Sequence, residues 1–361
     1  MRYFLSHAGV TMHGLCLCLS DNSSQYTSEM VRVEVVCRIA YVMVFPVLLS
    51  LGIITNVLNA IVLLKMQSQQ TPTPSSLYLF WLAVTHCMTC VPLIIGASIR
   101  DRTKVSYAWA IYFSHIEIPW YNALNCTCVF IIFGLSIDRY KAVCHMGTYS
   151  VIKEFKNVPR RIFLAGIIPL IAYIPICFVY FPELNEDGVT YHMIGYNNLF
   201  NYGPWKTWAV SLQLLHRLIP AFALTVINTR LLRTLNILKL QRQNMRKTSN
   251  RSHRERQLMQ VLLALTVVFL LTNVPSAINY ITYVCVEEVC DINYSMEIVR
   301  AISNCLEMAG YSCDFILYFL MNTEYRRGFK LLWKPCTHRS QSPRGPAAGA
   351  TIKNDSTTVA E

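Results

Sequence analysis

The sequence predicts an all-α membrane protein, a bundle of seven transmembrane helices followed by a short amphipathic cytoplasmic helix. Three observations predict it. First, only 14% of the 361 residues are charged while 53% are hydrophobic, with mean hydropathy +0.35. A soluble chain carries nearer 25% charge. Second, seven segments run apolar for the ~20 residues that cross a hydrocarbon core. Third, the basic residues between those segments collect on alternate connections, as cytoplasmic loops do.

The segments are 36–64, 77–99, 111–137, 161–182, 207–232, 257–284 and 298–320. Segments one, four and six are plain, and Gln257 to Val286 holds no charge at all. Arg217 interrupts the fifth, and Arg300, Glu307 and Asp314 punctuate the seventh. Without those two, the loop charges would fall on inconsistent sides. The expected organisation is a tail over 1–35, the bundle over 36–320, an amphipathic helix over 321–335 and a disordered tail over 336–361. The weak apolar stretch near the N-terminus leaves a cleaved signal peptide open, and the first span can itself do the targeting.

Of the 32 Lys and Arg, 23 lie in, or at the ends of, the first, second and third internal loops and the C-terminal tail. Twelve of the 20 acids lie on the opposite side. The N-terminus is therefore expected outside and the C-terminus inside, in the plasma membrane. The net charge of +12 reads as cytoplasmic loops beside anionic lipid, with no nucleic acid as partner. Asn22 and Asn293 head glycosylation sequons on the outer face of this topology.

Helix seven carries Arg300, Asn304, Glu307, Tyr311, Asp314 and Tyr318 at steps of three and four, which is one face. A polar stripe on an apolar span faces the bundle interior or a wet cavity. Its outer half, with Glu117 and Tyr121 of segment three and His216 and Arg217 of segment five, is the expected ligand pocket. Equally, the four charged side chains there could pair with one another and hold the bundle.

"GLSIDRYKAVCHM" places Asp138, Arg139 and Tyr140 together after twenty uncharged residues, Ile118 to Ile137. A boundary Arg is costly unless paired, and Asp138 and Glu255, in "SHRERQLMQ", can supply the partners. With Asn56 in "GIITNVLNAIVLL", Pro220, the Phe269–Pro275 pair and Tyr318 in "DFILYFLMNTEYRRGF", this order of residues resembles the rhodopsin-like G-protein-coupled receptors over about residues 36 to 333. Asn273 and Asn228, with "AVCH" after the triplet, are similar to invertebrate receptors for FMRFamide-like and myosuppressin-like neuropeptides.

The resemblance implies an extracellular peptide or small ligand, a heterotrimeric G protein, arrestin and receptor kinases, with no cofactor and no metal. It implies that Asp138, Arg139, Tyr140, Glu255 and Tyr318 form the G-protein switch, and that Asn56, His86, Asn273 and Asp314 form a core polar network. For an amidated peptide it places a guanidinium on Glu117 or Glu307, the amide near Asn304 and a ring on Trp120 or Tyr121. Cys336 is a palmitoylation site in this reading, and Ser340, Ser342 and the 356–358 cluster are phosphoacceptors.

The pattern also departs from the family. Ser114 stands where the third helix has its outer Cys, and 181–208 contains no Cys, so the usual outer bridge cannot form. Cys285 and Cys290 can bridge locally instead. His86 replaces the second-helix Asp, and Asp314 the seventh-helix Asn; a His86–Asp314 hydrogen bond is the expected substitute for the family's bound sodium. These losses leave open an orphan or constitutive receptor, or a chemosensory one. A transporter is the rival from another class, against which stand the odd helix count and the absence of repeats. No phosphate loop, HExxH helix or Ser-His-Asp signature points to an enzyme, and 298–320 has no Lys for retinal.

Overall fold

In the computed structural model, the described residues are 31–33, 35–69, 73–99, 106–145, 147–178, 180–184, 191–195, 203–244, 250–285 and 294–332. Asn22, Asn293, Cys290, Cys336 and the 336–361 tail lie outside them. They form seven long helices in a closed ring: α1 (Val31–Gln69), α2 (Pro74–Ile99), α3 (Tyr107–Cys144), α4 (Val151–Phe178), α5 (203–244), α6 (Asn250–Cys285) and α7 (Tyr294–Met321). Helices α1 to α4 pack in sequence order, α4 also meets α2, α5 packs on α6 and leans on α3, α6 packs on α7, and α7 returns to α1. The short helix α8 (Thr323–Leu332) lies across the bases of α1 and α7. The fold class is the predicted one, with one addition. An antiparallel hairpin, β1 (Tyr180–Leu184) and β2 (Tyr191–Gly195), joins α4 to α5 and sits over the outer end of α3.

Among the described residues, six helices are long and apolar enough to cross a bilayer on composition alone; α7 is not among them, because of its polar stripe. Most of that stripe is buried against the ring: Arg300, Glu307, Tyr311, Asp314 and Tyr318 are all under 9% exposed, and Asn304 is half-buried. Large apolar side chains cover the outside instead, with Phe222, Phe163, Phe178 and Leu271 among the most exposed. In water this would be a liability, whereas in lipid it is the required surface.

Several helices outrun their apolar segments. Helix α4 begins at Val151, ten residues before its apolar segment, because Ser150 caps it by accepting from the Lys153 amide at 3.5 Å, and Glu154 sits in its first turn. Helix α2 starts on a reciprocal cap between Thr73 and Ser76. Asn322 caps α8, its Oδ1 accepting from the amides of Glu324 (3.0 Å) and Tyr325 (3.2 Å). Hydropathy marks the part of a helix in lipid; caps mark its ends.

Prolines leave carbonyls that other groups satisfy. Pro92 in α2 cannot donate to Met88, and the Trp120 indole N–H of α3 donates to that carbonyl at 3.2 Å. Trp120 is thereby turned to α2 and away from the bundle interior. A π-helical turn, Leu214–Leu218, precedes Pro220 in α5 and carries His216 and Arg217.

Helix α8 is held down by three contacts. The Tyr325 hydroxyl donates to Asn59 Oδ1 at 2.5 Å, Thr323 Oγ1 donates to Gln257 Oε1 at 2.9 Å, and Gly328 lets the helix backbone approach α1. A Cβ on Gly328 would stand 2.6 Å from Met66 Cγ and 3.3 Å from Val62 Cγ1. Gly328→Val is therefore expected to lift α8 from α1 at a cost of about 1–3 kcal/mol, the range for overpacking. A drop in the melting temperature of the detergent-solubilised protein measures this, and an unchanged melting temperature would refute it.

Candidate functional site

At the outer end, the ring encloses a cavity of about 190 Å³. Of the pocket residues expected from sequence, Glu117, Tyr121, Arg217, Arg300, Asn304 and Glu307 line it. His216 does not. One turn of the π-segment points its ring towards α4, where Nδ1 lies 3.1 Å from the Tyr173 hydroxyl and the ring meets Phe130 edge-on. Trp120 is likewise absent from the lining, being committed to Met88. Gln213, Ser276, Asn279 and Tyr280 line it and were not anticipated.

The cavity floor is a buried ion pair that ties four helices. Arg217 Nη2 of α5 stands 3.2 Å from Glu307 Oε1 of α7, and Arg217 Nη1 donates to Ser276 Oγ of α6 at 2.9 Å. The Asn125 side-chain amide of α3 donates to Glu307 Oε1. Glu307 is 2% exposed and Arg217 6%. Such a pair persists in a dry interior only when further hydrogen bonds satisfy both partners, as Ser276 and Asn125 do here. Arg300 pairs along its own helix with Glu297, and Asn304 Nδ2 donates to the Tyr41 hydroxyl of α1 at 2.9 Å.

Glu117 lies against α2 at Gly96, where any Cβ would collide with its carboxylate. Sequence alone left Glu117 and Glu307 as equal anchors for a ligand cation. In the structure Glu307 is paired with Arg217 and Asn125.

Beneath the floor, a smaller chamber of about 30 Å³ is lined by His86, Asn125, Asn273, Glu307 and Asp314 among others. His86 Nδ1 and Asp314 Oδ2 are 3.2 Å apart, both side chains 6% exposed. Asn273 Nδ2 donates to Thr272 Oγ1 at 3.0 Å. Asn56 sits apart from this chamber: its Nδ2 donates to the Gly52 and Tyr311 carbonyls, both at 2.8 Å, joining α1 to α7. The structure thus divides the expected polar network into a chamber and a separate helix tie.

At the cytoplasmic end, Asp138 is fully buried and holds Arg139, with Oδ2 accepting from Nη2 at 2.5 Å and from Nε at 3.1 Å. Tyr140 turns away to meet His145. Tyr318 is buried against Tyr325, joining α7 to α8. Glu255 lies on α6, and its side chain is outside the described residues. Tyr149, which the sequence reading did not single out, contacts both Asp138 and Arg139. A loop residue has no periodic signal to betray it.

Residues 171–335 match the family model of the serpentine seven-transmembrane G-protein-coupled chemoreceptors of the Srw type. Two probable G-protein coupled receptors of Caenorhabditis elegans are similar along most of their length. One is 24% identical over 81% of this chain and 69% of its own; the other is 27% identical over 87% and 80%. The sex peptide receptor-related protein 2 of the same organism is 22% identical over 93% of this chain and 80% of its own. With the helix ring, these likenesses support a multi-pass membrane receptor of the G-protein-coupled class, whose members bind an extracellular ligand and couple to G proteins. The relatives are receptors and not enzymes.

Proposed function

We propose that this chain is a rhodopsin-like receptor for an extracellular amidated neuropeptide, seated in the plasma membrane with its N-terminus outside. The observation that carries the reading is the outer cavity. It combines Glu117, Arg300, amides and aromatic rings at one end of the bundle, while Arg139 is held at the other. A peptide guanidinium goes to Glu117, a terminal amide to Asn304, and an aromatic ring to Tyr121. Ligand binding favours a form in which α5 and α6 swing around Pro220 and Pro275 and Arg139 leaves Glu255 to meet the G protein. Arrestin and receptor kinases acting on the C-terminal Ser and Thr cluster, glycosylation at Asn22 and Asn293, palmitoylation at Cys336 and contacts with anionic lipid complete the proposal. The name of the sex peptide receptor-related relative supports a peptide ligand.

A chemosensory receptor for a small molecule is the second reading, favoured by the description of the matching family model. A G-protein activation panel in transfected cells, challenged with a library of amidated peptides and with small odorants, separates the two. A response to peptide, lost in Glu117→Gln, is the expected result. A response to odorants alone would replace the first reading by the second.

A further inference from the structure

We infer that Gly96 of α2 is a specificity-determining residue: its missing side chain is the recess that keeps the Glu117 carboxylate back against the cavity wall and leaves room for a guanidinium, in preference to an ammonium, in front of it. The inference rests on the proposed role of Glu117 as the anchor for a ligand cation. Its observation is steric. A Cβ on Gly96 would overlap Glu117 Oε2 and stand 2.8 Å from Cδ and 3.3 Å from Oε1. The carboxylate thus occupies the space that any other residue at this position would fill. Gly96 is buried, and Glu117 is 5% exposed while still lining the cavity.

Helix α3 is built to deliver that carboxylate. A π-helical turn, Phe113–Glu117, runs up to Pro119, and within such a turn residues five apart share a face. Tyr112 and Glu117 are five apart, and Trp120 follows three further on. All three meet α2, whereas Ile116, which an unbroken α-helix would align with Tyr112, is exposed on the outside of the bundle. The Tyr112 hydroxyl donates to the Pro92 carbonyl at 2.8 Å, and the Trp120 indole to that of Met88 at 3.2 Å. Bonds on either side of Glu117 in sequence therefore hold α3 against α2. Pro119 has no N–H for the His115 carbonyl, and the Cys177 thiol of α4 donates to it at 3.7 Å, so the π-turn is braced from behind.

A guanidinium is wide and flat and takes both carboxylate oxygens in paired bonds, whereas an ammonium is compact and is served by one. The atoms a new Cβ would meet are the free end of a flexible side chain, so Gly96→Ala pushes the carboxylate into the cavity and leaves the helix packing in place. The probes are Phe-Met-Arg-Phe-amide and a library of peptides ending in Arg-Phe-amide, each paired with its Lys-for-Arg analogue. The readout is the concentration giving half-maximal nucleotide exchange by G proteins, on membranes carrying matched amounts of receptor. Wild type is expected to favour Arg over Lys about tenfold or more, the worth of one hydrogen bond to a charged group. Gly96→Ala is expected to bring that ratio close to one, with a melting temperature within a few degrees of wild type, and to leave the ratio unmoved in a Glu117→Gln background. A wild-type ratio near one, a ratio unchanged in Gly96→Ala, or an equal loss for both members of each pair overturns the inference and leaves the peptide reading standing. Should Gly96→Ala fail to reach the cell surface, the shorter acid of the double variant Gly96→Ala, Glu117→Asp is expected to recover it, and failure to do so also overturns the inference. Silence of every peptide on wild type overturns the peptide reading and the inference together.

Discussion

Arg217→Met and Glu307→Met, made singly, are each expected to strip the receptor from the cell surface, and the double variant to restore it. Each single change leaves one full charge in the bundle interior, with Ser276 remaining beside Arg217, or Asn125 and Tyr121 beside Glu307. Breaking a buried pair from one side costs about 3–5 kcal/mol, whereas exchanging both partners for apolar residues of similar volume is often neutral. Surface labelling, together with thermal unfolding of the solubilised protein, completes a double-mutant cycle. A coupling energy near zero would show that the two side chains are solvated independently. The double variant also joins α5 to α7 without charge, so its basal signalling reports whether the clasp restrains activation. A rise is expected, because the pair ties α5, which swings in the proposed activation, to α7.

Asp138→Asn is expected to raise basal G-protein activation, while Arg139→Ala abolishes activation altogether. Asp138 accepts two bonds from the guanidinium, and hydrogen bonds to charged groups are worth about 1.5–3 kcal/mol each way they are lost. Losing that much from the resting form shifts the population of released Arg139 roughly tenfold to a hundredfold. The asparagine keeps the volume and the bond from Tyr149, so the effect is one of charge. Basal second-messenger levels at equal surface expression measure it. If Asp138→Asn is silent while Arg139→Ala is deficient, the carboxylate orients the arginine for coupling instead of restraining it.

Much of the fold was legible in the chain, for a physical reason. A bilayer demands some twenty apolar residues per helix and pairs every backbone group within the segment, so composition alone marks the spans. The seventh was legible through its periodicity: six polar residues at steps of three and four announced a buried face, although the charge count disguised a membrane helix. Helix ends were less legible. Helices α3, α4 and α6 extend beyond their apolar stretches, because capping groups and tertiary contacts set those ends.

The sequence by itself determined that α7 turns a polar face inward and at which end of the bundle each candidate residue lies, since helical period and order along a span suffice for that. Only the tertiary structure decided which of them meet. Arg217 had Glu117 and Glu307 within the same expected pocket, and packing gave it Glu307, Ser276 and Asn125. His216, its neighbour in sequence, was turned to Tyr173 by the π-turn before Pro220. Trp120 was drawn off to a carbonyl that Pro92 had left without its helical donor. Tyr149 reached Asp138 through a turn whose geometry no hydropathy pattern records. Partner choice depends on a few ångströms of reach and a few degrees of helix phase, and these follow from how neighbouring helices pack.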